Sequence, residues 1–194
     1  ARTLLAATGW DGRRSFVVMA PGAAYGGAKR WPSEHFAEVA TTLVRDRQLH
    51  IVPVGSSADG APPASLRALV PDEARGSVID LAGATSLDTL AGVLRLASAC
   101  VSNDSGAMHL AGAVGVPLAA LFGPTRERET SPLSGVGGRT DVLINHVWCR
   151  PCMLRECPID HRCMNGLSPD RVMHAVTDLM KNPESRTPSP EPES

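Results

Sequence analysis

The sequence predicts a doubly wound parallel α/β domain, and three observations carry the prediction. Apolar runs ending in glycine or proline alternate with stretches whose apolar positions recur at helical spacing. The runs are unbroken, as in strands covered on both faces. At 194 residues the chain is long enough for one domain with a substantial core and too short for two full catalytic domains.

The opening ARTLLAATGW has no initiator Met, basic leader or long apolar segment. No signal peptide or membrane span is read from it, and residues 1–14 are expected to be an interdomain linker or a fragment start. The domain is expected over residues 15–180. SFVVMAPG is its first strand, ending in Pro-Gly. Ser33 is placed to cap EHFAEVATTLV, a helix with Phe36, Val39, Ala40 and Leu43 on one face. LHIVPVGS is the second strand; Pro53 has no N–H for a neighbour, which predicts an edge position or an early end. ASLRALV reads as a short helix and SVIDLAG as a third strand. Ser86 then caps LDTLAGVLRLAS, striped by Leu87, Leu90, Ala91, Leu94 and Ala97.

ACVSNDSG reads as a strand ending at Asp104, AMHLAGAVG as a small-residue helix, PLAALFGPT as a strand and DVLINH as the last of the set. PLSGVGGRT lacks periodicity and predicts a flexible loop. Ser168-Pro169-Asp170 gives DRVMHAVTDLM its cap, its N1 proline and an acidic first turn. Residues 181–194, proline-rich and acidic without apolar anchors, predict a disordered tail.

Composition narrows the partners. With 19 Lys+Arg against 20 Asp+Glu, the chain has no broad cationic field for a nucleic-acid backbone, so no nucleic-acid partner is expected. Three Phe, three Trp and one Tyr are too few for base stacking. A local anion pocket is still open to it.

Two segments suit such a pocket. PGAAYGGAKRWP has glycines that let backbone N–H groups approach an anion, with Lys29 and Arg30 beside them. It is neither a nucleotide-triphosphate loop nor a dinucleotide fingerprint, because Ala28 separates Gly27 from Lys29 and no Ser or Thr follows the lysine. Spacing alone leaves Lys29 as a phosphate contact or a solvated lysine, and Trp31 as a packing residue more readily than a stacking one. NDSGAMH is sharper: Asp104 ends a strand, Ser105 and Gly106 open a helix, and the free N–H groups of its first turn can bind a diphosphate. His109, one turn on, reads as a phosphate or ribose contact or as a structural histidine. Asp104 orients the turn or accepts a sugar hydroxyl. A serine hydrolase is disfavoured because no G-x-S-x-G elbow surrounds Ser105.

FGPTRERETSP leaves another strand end, where Thr125 offers a hydroxyl and residues 126–129 alternate in charge as a solvated loop would. Loops leaving the carboxyl ends of parallel strands meet at one crevice. Cys149, Cys152, Cys157 and Cys163, flanked by His146 and His161, form C-x2-C-x4-C-x5-C within the segment 146–164. Four thiolates suit a structural zinc; an iron-sulfur centre fits the spacing less well, and reduced thiols packed in a compact lobe are the third reading. Cys100, alone in a strand, reads as a buried inert thiol.

PGAAYGGAKRWP, VSNDSGAMHLAGAVGVPLAALFGPT and WCRPCMLRECPIDHRCM together resemble the carboxyl-terminal half of the ADP-heptose:lipopolysaccharide heptosyltransferases of glycosyltransferase family 9, type II in the cysteine string. The resemblance implies a Rossmann-like domain, the nucleotide-sugar-binding half of a GT-B enzyme. It implies a phosphate-contacting role for Lys29, a nucleotide-sugar motif in Asp104, Ser105, Gly106 and His109, and a nucleoside-side loop containing Gly55 and Asp59. The FGPT turn departs after Thr125 from the family's commoner FGPT-S/D-P form.

The implied reaction is an inverting transfer from ADP-heptose to the lipopolysaccharide inner core. It needs no cofactor for its chemistry, and the general base and acceptor surface belong to an amino-terminal domain. The implied location is cytoplasmic, with the complete enzyme peripheral to the inner membrane. Another nucleotide-sugar transferase, a GT-B epimerase and a non-catalytic nucleotide-binding module are the alternatives.

Overall fold

The computed structural model describes residues 1–55, 66–133 and 138–182. Among these residues five parallel strands form one sheet: β1 (Phe16–Ala20), β2 (His50–Pro53), β3 (Ala99–Asn103), β4 (Leu118–Phe122) and β5 (Thr140–Ile144), in the order β2-β1-β3-β4-β5. Because side chains alternate across a strand, each apolar run feeds two cores. Val17, Met19, Val101, Ala119 and Leu121 face one side. There α2 (Ser33–Arg47), the short α3 (Leu66–Leu69) and α4 (Asp72–Arg75), α8 (Arg162–Asn165) and α9 (Pro169–Lys181) cover them. Phe16, Val18, Cys100, Leu118 and Phe122 face the other, under α1 (Arg2–Ala7), α5 (Leu87–Leu96) and α6 (Gly106–Val114). Burial pushes the Cys100 thiol up to about 12, so it stays protonated, in line with the inert reading.

Two caps follow the sequence. Ser86 Oγ accepts the Thr89 N–H at 3.3 Å and Ser168 Oγ accepts the Arg171 N–H at 3.4 Å. Ser33 does not cap: it is the first helical residue, and Pro32 takes the N-cap position without a side-chain bond.

Other expectations are corrected. Residues 2–7, read within a linker, form α1, whose Leu5 is fully buried in the second core. SVIDLAG runs beside β2 but makes only one bridge, Ile51 with Val78. Ile51 N–H donates to Ser77 O and Ile79 N–H to Ile51 O, and Pro53 O accepts from Leu81 N–H; Pro53 then has no N–H to return on that side. The proline therefore closes the ladder, which makes β2 the last full strand. Within RERET, residues Glu127–Thr130 form a single helical turn, α7. Lys181 is the last residue of α9; the rest of the expected tail from 183 on, and residues 134–137 of the expected loop, lie outside the described residues.

Candidate functional site

In this strand order the connection from β1 runs to β2 on one side and that from β3 to β4 on the other. The carboxyl ends of β1 and β3 are therefore the point where the chain diverges, and a crevice opens there. It is a cleft of about 560 Å³ lined by Gly22 and Ala24 after β1, Gly55 after β2, and Ser105, Gly106 and Ala107 at the start of α6. Thr85, Ser86 and Leu87 form the far wall. Among the described residues no charged side chain lines it, so its polarity comes from backbone and hydroxyl groups.

Ser105, the N-cap of α6, is extended and makes no side-chain cap bond; its Oγ lies 3.3 Å from Ser102 Oγ instead. The first-turn N–H groups, which have no intrahelical acceptors, are thus left for an anion, with open space in front of Gly106.

Lys29 ends a 3-10 turn, Gly27–Lys29, and its Nζ lies 2.6 Å from Asp104 Oδ2 and 4.8 Å from the centre of the Tyr25 ring. The same Asp104 oxygen accepts from Thr125 Oγ1 at 2.6 Å. With Asp104 only 4% exposed and Lys29 12%, this is a nearly buried ion pair set just behind Ser105. Asn103, the preceding residue, braces the loop after β1: its Nδ2 donates to Pro21 O at 2.7 Å and its Oδ1 accepts from Trp31 N–H at 3.2 Å. Trp31 is buried against Phe36, as the packing reading expects.

The structure thus brings Lys29, Asp104 and Thr125 together behind Ser105; Gly55, Ser105 and Gly106 line the cleft, and Lys29, Asp104 and Thr125 do not. His109 stands one turn beyond Gly106 on the exposed stripe of α6 and does not line the cleft, because Ala107 and Leu110 take the inward positions. Asp59 lies outside the described residues. Tyr25, Asn103 and Arg150 join the site without having been singled out. Asn103 had a signal: a polar residue closing an apolar strand is buried and must find partners.

Arg126 and Glu129 form a solvated pair, as their alternation suggests. Glu127 differs, bonding Arg150 at 3.1 Å. A backbone hydrogen bond within Glu127 and the Arg150 guanidinium hold its carboxyl below the usual range. Arg150 also donates to Gly123 O and, at 3.0 Å, to Thr125 O, fixing the turn that presents Thr125.

Arg150 belongs to the cysteine-rich lobe. All four cysteines there are free; Cys152 is exposed and Cys163 buried. Burial first, then the neighbouring Cys149, Cys157 and Cys152, push the Cys163 thiol up. The thiols share a neighbourhood, but among the described residues no group of three or more His, Cys, Asp or Glu side chains is arranged to hold a metal ion.

Residues 2–162 match the model of glycosyltransferase family 9 (heptosyltransferase). Lipopolysaccharide heptosyltransferase 2 of Salmonella typhimurium is 38% identical over 167 residues, covering 86% of this chain and 47% of that protein. The Escherichia coli K12 protein of the same name is 33% identical over 172 residues, covering 89% of this chain and 49% of its own length. The solved structure of E. coli ADP-heptose lipopolysaccharide heptosyltransferase II superposes with a TM-score of 0.79 at 30% identity, covering 93% of this chain and 50% of that one. The chain spans about half the length of the curated relatives it matches. Its Rossmann-like sheet is that of a GT-B-type domain. With most of its length matched by the family model and by these relatives, the chain belongs to glycosyltransferase family 9, the heptosyltransferases.

Proposed function

We propose that this chain is the donor-binding half of an inverting heptosyltransferase, which takes ADP-heptose in the crevice between β1 and β3. An amino-terminal domain contributes the general base and holds the lipopolysaccharide inner-core acceptor. The observation that carries this reading is the uncapped start of α6, opening on a cleft of small residues with the Lys29–Asp104 pair directly behind it. As the bond from the anomeric carbon to the diphosphate breaks, negative charge grows on the leaving ADP. Aligned N–H groups of α6 stabilise that charge without reorganising, and the Lys29 ammonium, turning from Asp104 toward the cleft, adds to them. Gly55 marks the nucleoside side of the cleft, and Thr125 acts indirectly by holding Asp104. The complete enzyme works at the cytoplasmic face of the inner membrane as a peripheral protein; among the described residues no helix is long and apolar enough to cross a membrane.

Calorimetry with ADP tests the site. A charge-assisted hydrogen bond contributes roughly 1.5 to 3 kcal/mol, so Lys29→Ala is expected to weaken ADP binding by about one to two decades. His109→Ala, on the exposed stripe of α6 outside the cleft lining, is expected to weaken it less. Unchanged affinity in Lys29→Ala rejects the site. Joining an amino-terminal domain and assaying turnover tests the donor: use of another nucleotide sugar in place of ADP-heptose rejects that assignment, and ADP binding without turnover favours a non-catalytic module.

A further inference from the structure

The donor reading gives the cysteine-rich lobe no role beyond Arg150, yet the lobe also holds the residue before Lys29 by both of its backbone groups. Ala28 is buried; its N–H donates to Arg155 O at 2.9 Å, and its carbonyl accepts from His161 Nε2 at 2.7 Å. One position earlier, Gly27 N–H donates to Glu156 Oε1 at 3.0 Å. The approach is close enough to require glycine at position 26, where a Cβ would overlap the Arg155 backbone carbonyl; a Cβ on Gly27 would lie 2.6 Å from Glu156 Oε2, at the end of a side chain that can shift. Tyr25, whose ring lies under the Lys29 ammonium, donates its hydroxyl to Met153 O at 3.1 Å.

A single 3-10 turn does not hold its own shape, since fixing its dihedrals brings few hydrogen bonds. The turn carrying Lys29 has the bonds from Lys29 N–H to Gly26 O and from Arg30 N–H to Gly27 O, the first stretched to 3.4 Å. What fixes it comes from more than 120 residues away in sequence. His161 is itself held in place: it adopts a left-handed backbone at φ 55°, and its N–H donates to Cys157 Sγ at 3.3 Å. A Lys side chain aimed from a fixed turn loses less freedom on meeting an anion than one aimed from a loose loop.

We infer that the cysteine-rich lobe is a positioning element for Lys29, with His161 and Glu156 as its positioning residues. The inference rests on the donor reading, since it gives the lobe its effect through a lysine that meets the diphosphate.

The test is a set of double-mutant cycles, read by ADP calorimetry and thermal unfolding of this chain. His161→Ala and Glu156→Ala are each expected to weaken ADP binding roughly three- to tenfold, the weight of one hydrogen bond. Glu156→Gln, which keeps an acceptor oxygen, is expected to restore most of the loss. In a Lys29→Ala background neither alanine substitution should weaken ADP further, because the residue they act through is gone. A purely structural role would lower the melting temperature and leave ADP affinity alone, or would add to Lys29→Ala in full; either result overturns the inference. If Lys29→Ala itself leaves ADP affinity unchanged, the donor reading fails first, which is a separate outcome. Should His161→Ala not fold, the exposed Glu156 carries the cycle alone.

Discussion

Trp31→Ala is expected to lower stability by about 4 kcal/mol, the middle of the range for truncating a buried aromatic side chain. Trp31 is 1% exposed and meets Phe36 edge-on at 4.9 Å and His35 at 5.2 Å, so its removal leaves a cavity between the β1 loop and α2. Its Nε1 donates to Leu167 O at 2.8 Å; without the indole, that buried carbonyl ahead of α9 loses its partner. For a domain of this size the melting temperature should fall by about 8 to 16 °C. Trp31→Phe keeps most of the packing and loses the hydrogen bond, so it is expected to fall about half as far. A shift of under 2 °C for Trp31→Ala would mean that the indole is not the anchor of this loop.

Asp104→Ala is expected to destabilise the chain by about 3 kcal/mol, at the low end for breaking a buried ion pair because Lys29 keeps some contact with water. Two groups lose their partner at once, the Lys29 ammonium and the Thr125 hydroxyl. Most of the penalty comes from the ammonium left without a counter-charge. Adding Lys29→Met to Asp104→Ala should therefore recover a large part of the loss, so that the double variant is more stable than Asp104→Ala alone. Urea unfolding of the set gives the answer as midpoints. Equal or lower stability of the double variant would show that the pair contributes little and that the Thr125 bond dominates.

The sequence alone determined the five strands of the sheet, their parallel sense and the strand-to-helix turn after β3. These are local properties: unbroken apolar runs specify strands buried on both faces, and a strand running into Asp104-Ser105-Gly106 specifies a helix start with free N–H groups. Ser86 and Ser168 could be read as caps because a cap bonds within its own turn. Ser33 misled because Pro32 can enter the same turn one residue earlier, and spacing does not separate the two. SVIDLAG looked like a full strand because its own residues suit one; the limit is set by Pro53, on the neighbour it pairs with.

Only the tertiary structure decided who meets whom across the sheet. Sequence spacing left Lys29 open between a phosphate contact and a solvated lysine, since nothing within its own loop fixes the ammonium. Folding puts it on Asp104, at the end of a strand paired directly with β1. The lobe was legible as a cysteine pattern and was weighed for metal; its contacts with Gly27 and Ala28 were not legible, because they run from a backbone carbonyl, a carboxylate and a histidine ring to backbone groups far off in sequence. Hydrogen bonds to backbone place few demands on residue type at the receiving end, so they leave almost no trace in a sequence.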